Sequence, residues 1–191
     1  MDTTRPTLLL RIRDRADTDA WRTFDAIYRP MLLAFARARG LHEADAADVV
    51  QHCLSAIADH IQKFDYDPNR GQFKAWLRTL VNNRVRNFRR GQAVASAESA
   101  DFDIAQDREA APDEVFERLW LEEHLRHCLH ALRGETDERT FRAFERYVID
   151  EQSAESVAAE LGLSVNNVYT IKWRLTQKVA ERMRELTGES S

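Results

Sequence analysis

Two cysteines in 191 residues, Cys53 and Cys128, are too few to staple a small secreted scaffold, so a reducing compartment is expected. Six glycines and four prolines supply little punctuation, which favours long helices over a sheet with many turns. Long apolar runs are missing as well. Leu8-Leu9-Leu10 is too short for the apolar stretch of a signal peptide and runs straight into Arg11. No stretch approaches the length of a membrane span, so membrane insertion is not expected and the cytoplasm is the expected location. The chain also shows no phosphate-cradling glycine loop, no nucleophile triad and no convincing pair of carboxylates, so neither an enzyme nor a cofactor is expected.

An excess of positive charge is absent too. Lys and Arg number 28 against 32 Asp and Glu, a net charge of −4, which argues against a protein that coats nucleic acid indiscriminately. The average conceals segregation. Between Lys63 and Gln92 eight basic residues face two acids. Between Ala93 and Glu123 two arginines face ten acids, and between Ser164 and Arg184 five basic residues face one acid. Two basic islands with an acidic bridge suggest two nucleic-acid contacts joined by a tether.

Hydrophobic periodicity predicts helices almost throughout. Trp21, Phe24, Tyr28, Met31 and Phe35 recur three or four apart in Asp19–Arg39, and Gly40 is a fitting stop. A second helix over Glu43–Lys63 carries Ala46, Val49, Val50, Cys53, Ile57 and Ile61 on one face. Its other face carries Asp48, Gln51, His52, Ser55 and Asp59, a polar stripe flanked by Val49 and Leu54 that reads either as ordinary solvation or as a mixed docking surface. The stretch from Phe64 to Gly71 is a turn-rich loop, and Gln72–Arg90 forms a third helix with Phe73, Leu77, Leu80, Val81, Val85 and Phe88 as its buried stripe. Residues 92–112 are rich in Ala, Ser and Asp without a period, the composition of a flexible acidic linker. Helices at Glu114–Arg133, Thr136–Asp150, Ser153–Leu161 and Val165–Leu186 follow. The expectation is an all-α chain of two small helical domains, residues 1–91 and 113–191, joined by 92–112.

Two constellations carry chemistry. On the third helix Arg78, Asn82, Arg86 and Arg89 share one face, with Asn83 and Arg90 beside it. Guanidinium groups fit phosphates, and asparagine amides both donate to and accept from base edges. Phe64, Tyr66, Phe73 and Trp76 sit at its start, where aromatic rings either stack on unpaired bases or form core. Toward the C-terminus, Glu155–Ile171 reads as a helix-turn-helix. Gly162 suits a left-handed helix end and Ser164 an N-cap, while Val168, Ile171, Leu175 and Val179 form the seam. Asn166, Asn167, Thr170, Trp173 and Arg174 project from that seam or flank it, with Lys172 and Lys178 in reach of phosphates. Trp173 is open between packing on a neighbouring helix and sitting at a groove edge. His124, His127, Cys128 and His130 invite a metal reading, but on a helix they diverge in pairs rather than converging as a tetrahedral site requires.

In this order the residues resemble the bacterial sigma factors of RNA polymerase, of the extracytoplasmic-function (ECF) group. The opening Pro6–Asp14 and Asp19–Phe24 resembles the group known from planctomycete-type bacteria. Asp45–Gln51 resembles the family's polymerase-docking helix, Phe64–Leu77 with Asn82-Asn83-Arg84 and Arg89-Arg90 resembles its promoter-melting segment, and Asn167–Lys172 resembles its upstream-reading helix. His52 stands where the family often has an acid, and Gln72 where a Ser-like cap usually precedes the melting-helix Phe.

The resemblance implies that Asp48, Gln51, His52 and Ser55 grip the clamp of the large polymerase subunit. It implies that Phe64, Tyr66, Asp67, Arg70, Trp76, Arg78, Asn82, Asn83, Arg86, Arg89 and Arg90 capture and hold the opening −10 DNA. Ser164, Asn166, Asn167, Tyr169, Thr170, Lys172, Trp173, Arg174 and Lys178 would meet the −35 duplex. Core RNA polymerase, through its clamp and flap, and promoter DNA are the implied partners, with an anti-sigma factor as a third. Two other classes stay in view: a helix-turn-helix regulator that binds duplex without polymerase, and a helical metalloenzyme using the His124–His130 cluster.

Overall fold

The computed structural model describes residues 5–62, 72–91 and 113–187, all of whose regular elements are helical. Phe64, Tyr66, Asp67, Arg70 and the 92–112 stretch lie outside these described residues. In chain order the helices are α1 (Arg5–Arg11), α2 (Thr18–Ala38), α3 (Glu43–His60), α4 (Gln72–Arg89), α5 (Glu114–Glu135), α6 (Glu138–Phe144), α7 (Ala154–Leu161) and α8 (Val165–Thr187), with a π-helical turn at Glu145–Ile149 after α6.

The chain divides into two compact units, and the division falls inside α5, between Glu123 and His124. The first unit is built on α2, whose Phe24, Ile27, Tyr28, Met31, Leu32 and Phe35 are all essentially inaccessible. These meet Val50, Cys53 and Ile57 of α3 and Phe73, Leu77 and Val81 of α4. Two elements join this core that periodicity alone does not assign to it. Leu8, Leu9 and Ile12 of the α1 region are at most 2% exposed, so the leucine triplet is packing surface. Phe116 and Trp120, from the start of α5, also belong to the first core. Phe116 stands 5.6 Å from Phe35 and Trp120 stands 5.7 Å from Tyr28, ring centroid to centroid. Removing a ring of this size from a close-packed core costs about 3–5 kcal/mol.

Helix ends follow local chemistry. Asp17 caps α2 by accepting from the Ala20 amide at 2.9 Å, and Arg11 clasps the same carboxylate at 2.8 and 2.9 Å. The hydrogen bonds from Arg11 and then from the Ala20 amide hold the Asp17 carboxyl below its ordinary range. Gly40, at φ +86°, closes α2 with the Leu41 amide returning to the Ala36 carbonyl and the Gly40 amide to Arg37.

The second unit packs α6, the π-helical turn, α7 and α8 with Leu132 of α5. Its core is Phe141, Phe144, Val157, Val168, Ile171 and Leu175. Sequence periodicity predicts one helix over Thr136–Asp150. Instead Asp137 caps α6 through the Thr140 amide, and after Phe144 the backbone widens until the Asp150 amide meets the Glu145 carbonyl, five residues back. Ser153 caps α7 through the Ser156 amide at 3.1 Å.

Candidate polymerase and nucleic-acid interfaces

On α3 the positions 48, 51, 52 and 55 fall at helical spacing on one face, and Asp48, Gln51, His52 and Ser55 are all exposed. The His52 ring turns back along the helix, its Nδ1 2.7 Å from the Asp48 carbonyl oxygen. The expected apolar flanks are missing from this surface. Val49 and Leu54 are 1% and 7% exposed and pack inward, so the stripe is a polar face and not a mixed one. Cys53, on the buried side, has its thiol pushed up to about 12, chiefly by desolvation, with Arg84 pulling the other way.

On α4 the expected strand-binding face splits along its length. Arg86, Arg89 and Arg90 are exposed, and Asn83 is half-buried. Arg89 lies over the α2 terminus, where a Cβ on Gly40 would sit 2.8 Å from its guanidinium. Nearer the start of α4 the expected residues are engaged within the fold. Trp76 is 5% exposed and packs in the first core beside Phe73, so its ring face is committed to packing. Arg78 retains 14% of its side-chain exposure with its guanidinium 3.8 Å from the Glu117 carboxylate. Asn82 donates to the Arg78 carbonyl at 3.1 Å and to the Asp113 carboxylate at 3.4 Å. The cause is the start of α5, which Phe116 and Trp120 pin against the first core, bringing its acids onto α4.

Sequence reasoning missed that contact. Lys74 pairs with Glu117 and lies 5.5 Å from the Trp120 ring centroid, and Arg39 pairs with Asp113. Asp113 also caps α5, accepting from the Phe116 amide at 3.2 Å. Burial pushes its carboxyl upward, but the Phe116 amide, the Asn82 amide and Arg39 together outweigh that and hold it below the ordinary aspartate range. The available signal is the change of charge sign along the chain, which composition alone assigns to a tether.

In the second unit a short turn at Gly162–Ser164 joins α7 to α8. Gly162 takes φ +62°, the Leu163 amide returns to the Ala158 carbonyl at 2.9 Å, and Ser164 Oγ caps α8 by accepting from the Asn167 amide at 3.1 Å. Val168, Ile171 and Leu175 face inward. Asn166, Asn167, Tyr169, Thr170, Lys172, Trp173, Arg174 and Lys178 are all exposed, together with Ser164. Trp173 is 68% exposed and, among the described residues, lies on the outer face of α8 rather than in the second core. Two further residues organise this face. Tyr147, on the π-helical turn, meets the Tyr169 ring edge-on at 5.8 Å and lies 5.3 Å beneath the Lys172 ammonium. Arg139 donates to the carbonyls of Leu161 and Gly162 at 2.8 and 2.5 Å, tying α6 to the turn.

The histidine-cysteine cluster on α5 does not converge. Among the described residues no three His, Cys, Asp or Glu side chains are grouped so as to hold a metal ion. His124 is buried, His130 is exposed, and His127 is half-buried, its pKa lowered by desolvation, His130 and Arg182. No helix among the described residues is long and apolar enough to cross a membrane.

No curated protein matches the chain. Among solved structures the chain is similar to that of "Structure of CnrH in complex with the cytosolic domain of CnrY", at 25% identity over 94% of this chain and 96% of that one. The TM-score is 0.40, too low to decide fold or function. The family comparison is local: residues 26–94, which span most of α2 with all of α3 and α4 and none of α8, match the family model of Sigma-70 region 2.

Proposed function

We propose that the chain is a sigma factor of the ECF type, a non-enzymatic subunit that brings RNA polymerase to promoters and helps open the DNA. The observation that carries this reading is the coincidence of the Sigma-70 region 2 match with an exposed polar stripe on α3 and an arginine-rich end of α4. The planctomycete-type subgroup rests on the N-terminal resemblance alone.

In this reading Asp48, Gln51, His52 and Ser55 form the polymerase-docking stripe. Asn83, Arg86, Arg89 and Arg90 hold the backbone of a separated strand, with Arg78 and Asn82 joining once the α5 acids give way. Extruding a base costs a few kcal/mol, which contacts to the displaced strand must offset. On α8, Asn166, Asn167 and Thr170 lie at the start of the helix, where side chains reach base edges. Lys172, Arg174 and Lys178 supply phosphate contacts. With a net charge of −4 the isolated chain holds few phosphates, so promoter affinity comes mainly from polymerase.

A helix-turn-helix regulator acting alone would use α8 equally well. It has no use for the arginine-rich end of α4 in a different unit. Transcription with bacterial core polymerase on a random promoter library separates the two readings. The expected result is a recurring bipartite promoter and RNA that depends on the chain. Duplex binding without any polymerase-dependent RNA would overturn the proposal.

A further inference from the structure

The start of α5 places two acids on the cationic side of α4: Asp113, which caps the helix, and Glu117, in its first turn. Lys74, Arg78 and Asn82 are four apart on α4. The two rows meet in opposite order. Glu117 takes Lys74 and stands 3.8 Å from Arg78, and Asp113 accepts from Asn82 and pairs with Arg39. Every partner of the two carboxylates here is a cation or an amide donor, the groups that bind nucleic-acid phosphates.

We infer that Asp113 and Glu117 are an internal anionic cover, occupying the start of the α4 face so that in the isolated chain they compete with a nucleic-acid strand for it. The inference rests on the proposed function, in that the competitor is taken to be an unpaired strand. Two features suit the role. The acids are held in place by packing, because Phe116 and Trp120 on the same stretch of α5 are buried in the first core. The Lys74–Glu117 pair itself is weak. Lys74 keeps 26% and Glu117 36% of side-chain exposure, so solvent screens it and a denser anion can replace it. The cover therefore suppresses stray binding while leaving the face available when polymerase delivers a strand at high local concentration.

The test uses the full chain and a fluorescent oligothymidine of about 20 nucleotides at low salt. In the D113N/E117Q variant the asparagine side chain still caps the helix and the glutamine matches the glutamate in length, so charge is the main change. Its partner control, D19N/E43Q, removes the same two charges from exposed positions at the starts of α2 and α3. The expected result is about five-fold tighter binding by D113N/E117Q than by the wild type, and less than about two-fold by the control. The gain should vanish when R78E is added and shrink as salt is raised. E117Q alone, which leaves the Asp113 cap untouched, should give part of the gain, so the inference stays testable if the double variant folds poorly. Equal affinity of the wild type and E117Q, or an equal gain in the control, would overturn it. Failure of the wild type in the polymerase assay would instead remove the proposed function and leave this binding result standing.

Discussion

The guanidinium of Arg139, on α6, donates to the Leu161 carbonyl at 2.8 Å, closing the end of α7 where the chain turns toward α8. The same group reaches the Gly162 carbonyl, so one side chain satisfies two carbonyls that the helix end leaves without intrahelical partners. Arg139→Leu is expected to destabilise the second unit by about 1–2 kcal/mol. Gly162→Ala should cost about as much again, because φ +62° strains any residue with a Cβ and that atom would stand 3.3 Å from the Arg139 guanidinium. Urea unfolding of the two variants measures both. Unchanged midpoints would mean that the turn is held by the core alone.

Trp173 is 68% exposed on α8 and contributes little to folding. Trp173→Ala should change stability by less than about 0.5 kcal/mol while weakening binding to an upstream promoter duplex by about tenfold in the presence of polymerase. A large fall in the thermal midpoint, with duplex binding intact, would contradict its assignment to the outer face.

Burial raises both thiols, Cys53 to about 12 and Cys128 to about 11. Only the thiolate reacts readily, so at about pH 8 neither should react with Ellman's reagent in the folded chain, and both should react in urea. Fast labelling of either thiol under native conditions would show that its helix opens far more readily than the packing implies.

The Asp113 carboxyl sits below the ordinary aspartate range, so its contribution to stability is present above the unfolded value and is lost as pH falls through the folded one. As pH falls through and below the ordinary aspartate pKa of about 3.9, the wild type should lose stability more steeply than Asp113→Asn. Parallel pH profiles would mean that the Phe116, Asn82 and Arg39 contacts to the Asp113 carboxylate contribute nothing.

The helical plan was legible because apolar residues recur at helical spacing with few breakers. Of the periodic set on α2, Phe24, Tyr28, Met31 and Phe35 are buried, and Trp21 is partly so. The turn at Gly162 and the outward set on α8 were legible from one glycine, one capping serine and the Val168–Leu175 seam. What escaped depends on contacts distant in sequence. Leu8 and Leu9 are a short apolar cluster with no period, and only the tertiary core shows that they are packing. Trp76 lies between the apolar and polar stripes of α4, an angle at which core and surface roles cannot be separated without knowing what packs there. Asp113 and Glu117 look like part of an acidic stretch, because composition reports charge but not the helix it lands on.

In the proposed function α4 holds DNA that has already come apart. Permanganate oxidation of unpaired thymines on a promoter, with core polymerase and this chain, tests it most directly. The expected result is a reactive stretch that requires the chain and is lost in the R86A/R89A variant, although that variant still co-purifies with polymerase. Full thymine reactivity with R86A/R89A, or none with the wild type, would contradict it.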